Sequence, residues 1–99
     1  MSKITTRMKR HVRHVLKDEN PTVWVGKEGL TSQLTGEIEK QLQKNKMVKV
    51  RILPTALQGI NTAQLIASEA AEQTGAALVE VRGHVFILFR KRRAEESSE

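Results

Sequence analysis

Apolar residues along this chain recur at two spacings, and the switches between them set out seven elements. Ile4, Met8, Val12, Val15 and Leu16 return every three to four residues, the signature of one helical face. At 100° per residue they span roughly 120°, while Lys3, Arg7, Arg10, His14 and Lys17 gather in a separate arc of roughly 80°. A first helix is therefore predicted from about Ile4 to Asp18, with one face that packs and another that carries positive charge. Asn20-Pro21 ends it, because proline disfavours helical geometry in the residue before it.

Thr22-Val23-Trp24-Val25 is short and rich in strand formers, and it runs directly into Gly26-Lys27-Glu28-Gly29. A second helix follows, with Thr31 as N-cap and Leu34, Ile38 and Leu42 on one face. Gly36 weakens it by about 1 kcal/mol relative to alanine. Lys44-Asn45-Lys46 closes it with positive charge at the negative end of the dipole. From Met47 to Leu53 the pattern alternates, Val48, Val50 and Ile52 against Lys49 and Arg51, as in a half-buried strand ended by Pro54. A loop containing Gly59 comes next. Asn61 with Gln64 fits a capping box and Ile60 with Leu65 a hydrophobic staple, so a third helix is expected to run to Thr74 with Gly75 as its left-handed cap.

Ala77–Arg82 and Val85–Arg90 are two strands joined by a tight hairpin at Gly83. The first sets Val79 and Val81 against Glu80 and Arg82, the pattern of an edge strand. The second, Val85-Phe86-Ile87-Leu88-Phe89, is apolar on both faces and belongs inside the sheet. The order α-β-α-β-α-β-β predicts an α/β fold, a two-layer sandwich whose mixed four-stranded sheet has the strand order 1-2-4-3. One domain is expected over residues 1–93, followed by an acidic, disordered tail over 94–99.

Charge sharpens the functional reading. Met1 to Lys17 holds six Lys/Arg and no acid, and Arg90-Lys91-Arg92-Arg93 adds four more, so ten of the seventeen basic residues occupy twenty-one positions. Two basic blocks invite a polyanion, whether nucleic acid or an anionic membrane surface; the plain alternative is a basic surface kept for solubility. No apolar run reaches the roughly 20 residues needed to cross a bilayer. The basic N-terminus lacks the apolar run of a secretory signal. With no cysteine there is no disulfide, no thiolate metal site and no cysteine nucleophile, and a cytoplasmic location is expected.

The most informative local feature is the Gly-x-x-Gly loop between the first strand and the second helix. Two glycines allow backbone conformations and close approaches that a Cβ forbids. The loop feeds a helix N-terminus, which favours an anion, and Lys27 adds a mobile charge. The same device clamps nucleotide backbones in KH modules. Glu28 argues against phosphate contact unless it points away or reads a base edge. A strand-to-helix turn that needs glycine for geometry alone is the simpler alternative. Neither Gly-x-x-x-x-Gly-Lys-Ser/Thr nor Gly-x-Gly-x-x-Gly occurs. His11 and His14 have no carboxylate or thiol beside them to complete a metal set, and His84 sits at the hairpin. Glu37, Glu39, Glu69 and Glu72 read as solvated helix faces. No enzyme and no cofactor is expected. Of the three aromatics, Phe86 and Phe89 read as core; Trp24 reads as core first and as a base-stacking platform second.

Met8-Lys9-Arg10-His11 followed by Val23-Trp24-Val25-Gly26-Lys27-Glu28-Gly29-Leu30-Thr31 resembles the opening of the CRM domain, the family of the bacterial YhbY protein and of plant chloroplast splicing factors. Met47-Val48-Lys49-Val50-Arg51-Ile52 is similar to that family's second strand. Thr74 to Gly83, closing with Ile87-Leu88-Phe89-Arg90, is similar to its final hairpin. The likeness covers roughly residues 7–91. It implies a fold similar to the C-terminal domain of translation initiation factor 3 and RNA binding through the loop, with Gly26, Lys27 and Gly29 matching. It also implies ribosomal RNA or a large-subunit precursor as partner, since single-domain members are associated with such precursors. Family members often have tyrosine where this chain has Phe89, which removes any hydroxyl contact there, and 54–60 follows no family pattern.

The expected function is thus RNA binding in large-subunit assembly or on the ribosome. Gly26, Lys27, Glu28 and Gly29 form the contact loop, Lys3, Arg7, Arg10, Arg13 and Lys17 supply the field, and Arg90, Lys91, Arg92 and Arg93 extend it. Lys49, Arg51 and Arg82 join if the sheet face is open. The principal rival is a protein adaptor whose basic face meets acidic partners. Sequence-specific DNA binding is a third reading, for which the pattern lacks a recognition helix.

Overall fold

A computed structural model describes residues 6–17, 19–57 and 62–90. Its elements are α1 (Thr6–Leu16), β1 (Val23–Val25), α2 (Ser32–Asn45), β2 (Met47–Ile52), a short 3-10 turn (Pro54–Ala56), α3 (Ala63–Thr74), β3 (Ala77–Arg82) and β4 (Val85–Phe89). The four strands form one sheet in the order β1-β2-β4-β3. β1 runs parallel to β2, and β4 is antiparallel to both of its neighbours. The mixed sheet with its last strand inside is the one the apolar pattern predicts.

The two faces of the sheet are unequal. Val48, Val50 and Ile52 of β2 and Phe86 and Leu88 of β4 meet Ile38 and Leu42 of α2 and Ile66, Ala67, Ala70 and Ala71 of α3, with Val23 and Val25 at the edge. Sheet and α2/α3 layer make the expected sandwich. Its small alanines let α3 lie close to the strands. Burying Ile38 and Leu42 is worth about 1.5–3 kcal/mol each, which outweighs the roughly 1 kcal/mol that Gly36 costs α2. On the other face Val12 of α1 enters a smaller cluster with Val79 and Ile87, bordered by Met47 and Phe89. Phe86 is fully buried, and Phe89 is half-buried against that second cluster.

Three local expectations are corrected. The cap of α3 is Thr62, whose hydroxyl accepts from the Leu65 N–H at 3.2 Å, one residue later than Asn61. Gln64 then bonds Ser68 down the helix instead of reaching back to a cap, and Leu65 is left 52% exposed. The chain after β2 begins as a 3-10 turn with proline at its start, not as open loop. In β3 the pairing register slips between Leu78 and Glu80, so Val79 is an extra residue. This bulge turns Val79 to the α1 face while Val81 keeps to the α2/α3 face, where simple alternation had put them together. Thr31 does cap α2, accepting from the Leu34 N–H at 3.1 Å. Gly75 ends α3 in the left-handed region at φ 66°. Ile4, Asp18, Gly59, Ile60, Asn61 and the tail 94–99 lie outside the described residues.

Candidate nucleic-acid interface

The Gly26–Gly29 loop is anchored at both ends. The Leu53 N–H donates to the Val25 carbonyl at 2.9 Å, which holds the exit of β1 to the chain beyond β2. Thr31 fixes the start of α2, and Leu30 packs into the main core. Between these points the Gly29 N–H donates to the Gly26 carbonyl at 2.9 Å, closing a four-residue turn with Lys27 and Glu28 exposed at its tip. Gly29 sits at φ 72°, where a side chain is strained. Gly26 does not: a Cβ there would meet Leu53 Cδ1 at 3.9 Å, an ordinary contact. The fold therefore needs glycine at position 29 and leaves room for a side chain at position 26.

Trp24 is the main revision to the expected core. Val23 and Val25 point inward, and Trp24 between them is 52% exposed. It lines a groove of about 570 Å³ together with the glycine turn, Thr31, Gln33, Leu34 and Glu37.

A second cavity, about 550 Å³, opens between α1 and the face of the sheet that α1 covers in part. Arg10, Arg13 and His14 of α1 and Lys17 just past its end line it from one side, and Lys49, Glu80, Arg82, Val85 and Ile87 of the strands from the other. Among the described residues, five Lys/Arg thus converge on a cleft with one carboxylate. Glu80 holds that position between two guanidiniums, 3.4 Å from Arg13 Nε and 3.3 Å from Arg82 Nε, and so ties α1 to the edge strand. Lys49 donates to the Glu19 carbonyl at 2.9 Å, which fixes the chain leaving α1. The two cavities are joined across the sheet by register. Trp24 pairs with Arg51, Arg51 with Val85, and Val85 with Arg82.

The predicted residues therefore divide. Arg10, Arg13 and Lys17 meet in the cleft, and Lys49 and Arg82, expected to contribute only if the sheet face were open, are there with them. Arg7 is exposed on α1 outside the cleft lining. Gly26, Lys27, Glu28 and Gly29 form the separate groove. Arg90 belongs to neither. Its guanidinium donates to Glu39 Oε1 and to the Thr74 carbonyl, both at 2.6 Å, and its side chain is only 13% exposed. It binds β4 to the α2/α3 layer, which corrects its assignment to the open basic surface. Lys3, Lys91, Arg92 and Arg93 lie outside the described residues. Among those described, no cluster of His, Asp or Glu is placed to hold a metal, and no helix is long and apolar enough to cross a membrane.

The profile of the CRS1 / YhbY (CRM) domain matches residues 4–90. Over 90 residues the chain is 38% identical to the Methanocaldococcus jannaschii protein named Probable RNA-binding protein MJ0652, covering 91% of this chain and 66% of that one. It is 31% identical over 90 residues to a Haemophilus influenzae protein named RNA-binding protein, covering 91% and 88%. The solution structure of protein SAV1595 from Staphylococcus aureus superposes with a TM-score of 0.73 at 22% identity, covering 90% of each chain, and so shares the fold.

Proposed function

Because the chain belongs to the CRS1 / YhbY (CRM) domain family, we propose that it binds RNA, with the cleft between α1 and the sheet as its electrostatic centre. The observation that carries this reading is the meeting of Arg10, Arg13 and Lys17 with Lys49 and Arg82 around one cavity. Clustered cations of this kind neutralise phosphates and release condensed counterions. Side chains drawn from a helix and two strands hold their spacing better than a basic tail does. The names of the two sequence relatives support the same partner. The RNA is ribosomal in this reading, a segment of the large subunit or its precursor, in keeping with the family's single-domain members. Binding and not catalysis is the activity.

Fluorescence anisotropy with structured ribosomal RNA fragments and a DNA duplex of equal length, each at two salt concentrations, tests the proposal. RNA affinity well above DNA affinity, weakened by salt, is the expected result. Equal and weak binding to both would sink it and leave a basic face that meets an acidic protein.

A further inference from the structure

The groove beside the glycine turn has the wrong charge for a phosphate cradle. Among the described residues its one cation is Lys27, and it carries two carboxylates, Glu28 and Glu37. The cations that suit a phosphate backbone lie elsewhere, in the cleft under α1. The groove has instead an indole. Trp24 is the single tryptophan of the chain, and it stands half in water although burial would stabilise the fold. An exposed ring at a concave site is a platform for a flat partner, and every nucleobase has such a face.

From these features we infer that the groove takes an unpaired nucleobase stacked on Trp24, with the amino edge of the base turned to the carboxylates, while the adjoining phosphates cross Arg51 toward the cleft. This rests on the RNA-binding reading and assigns its two cavities different parts of the strand. Register supplies the path. Trp24, Arg51, Val85 and Arg82 lie side by side on successive strands, so two strand spacings, about 10 Å, separate the indole's strand position from Val85 at the cleft's near side, and three, about 14 Å, from Arg82. A short run of nucleotides spans that distance. The carboxylates set the preference. They accept hydrogen bonds and donate none, which suits the N4 amino group of cytosine and repels the O4 carbonyl at the same place in uracil. Glu37 already accepts from Gln41 Nε2 at 3.2 Å through Oε2, which steadies its carboxylate at the groove wall.

The test uses 5′-labelled nonamers of cytidine and of uridine with the full chain. Anisotropy of the label reports binding, and Trp24 fluorescence reports the groove. The cytidine nonamer is expected to quench the tryptophan and to bind about tenfold more tightly than the uridine nonamer. Trp24→Ala should weaken its binding about tenfold, Trp24→Phe should keep most of the affinity, and Glu28→Gln with Glu37→Gln should bring the two nonamers together. Binding by anisotropy with unchanged fluorescence, and with Trp24→Ala as tight as the native chain, overturns the inference and leaves the RNA-binding reading standing. Quenching with equal affinity for both nonamers overturns the role of the carboxylates. Failure of every RNA to bind removes both readings.

Discussion

Arg90 and Glu39, 51 positions apart in the chain, form an ion pair of 2.6 Å that fastens the end of β4 to the middle of α2. The same guanidinium reaches the last-turn carbonyl of α3 at Thr74. Removing it leaves that carbonyl and a carboxylate without their donor in a partly buried site. Arg90→Ala should lower stability by about 1–3 kcal/mol in urea unfolding. RNA affinity, measured where the variant is folded, should stay within about twofold of the native value. A loss matching that of a cleft arginine would return Arg90 to the binding surface.

Arg10→Ala and Lys17→Ala act in the opposite sense. Arg10 on α1 and Lys17 just past its end are both exposed and line the cleft, so thermal unfolding should hardly change. A cation that neutralises one phosphate should, when removed, reduce the slope of log affinity against log salt by about 0.7 to 0.9. Unchanged slopes would mean that the cleft does not meet phosphates.

Among the described residues Glu80 is the one carboxylate in that cleft, and it offsets part of the charge on Arg13 and Arg82. Glu80→Gln should strengthen RNA binding several-fold at low salt, with the gain fading as the Debye length falls to about 3 Å near 1 M salt. Weaker binding at all salt concentrations would show that Glu80 matters more for holding α1 in place than for its charge.

The two loop glycines should separate stability from binding. Gly29→Ala places a side chain at φ 72° and should cost about 1–2 kcal/mol in denaturant unfolding. Gly26→Ala meets only an ordinary contact with Leu53 and should leave stability within about 0.5 kcal/mol. If RNA approaches the loop backbone closely, Gly26→Ala weakens binding even so. Native affinity in that variant would reduce the loop to a turn.

Most of the architecture was legible because its signals are local and repeated. Five apolar residues in β4 announce a strand covered on both sides, and strand order follows from that. The departures are of a different kind. Alternation cannot reveal a bulge, since Leu78-Val79-Glu80 reads the same with or without an extra residue; the pairing with β4 decides. Asn61 and Thr62 are both good caps, and Thr62 takes the role through its bond to Leu65. Arg90 opens a basic run that reads as solvated, and its partner Glu39 lies too far along the chain to be paired by pattern. Trp24 was within reach. With Val23 and Val25 turned inward, period two alone turns the residue between them outward, but a tryptophan invites the expectation of a core.

Placing the final strand in the sheet interior gives the chain a direction of assembly. Before residues 85–89 emerge during synthesis, β1 with β2 and β3 alone are separate fragments that share no hydrogen-bonded edge. That strand also brings Phe86 and Leu88 to the main core and Ile87 to the smaller cluster on the other face. A ribosome carrying this nascent chain therefore holds an open sheet with two waiting edges until its last strand is released, and that strand closes both at once.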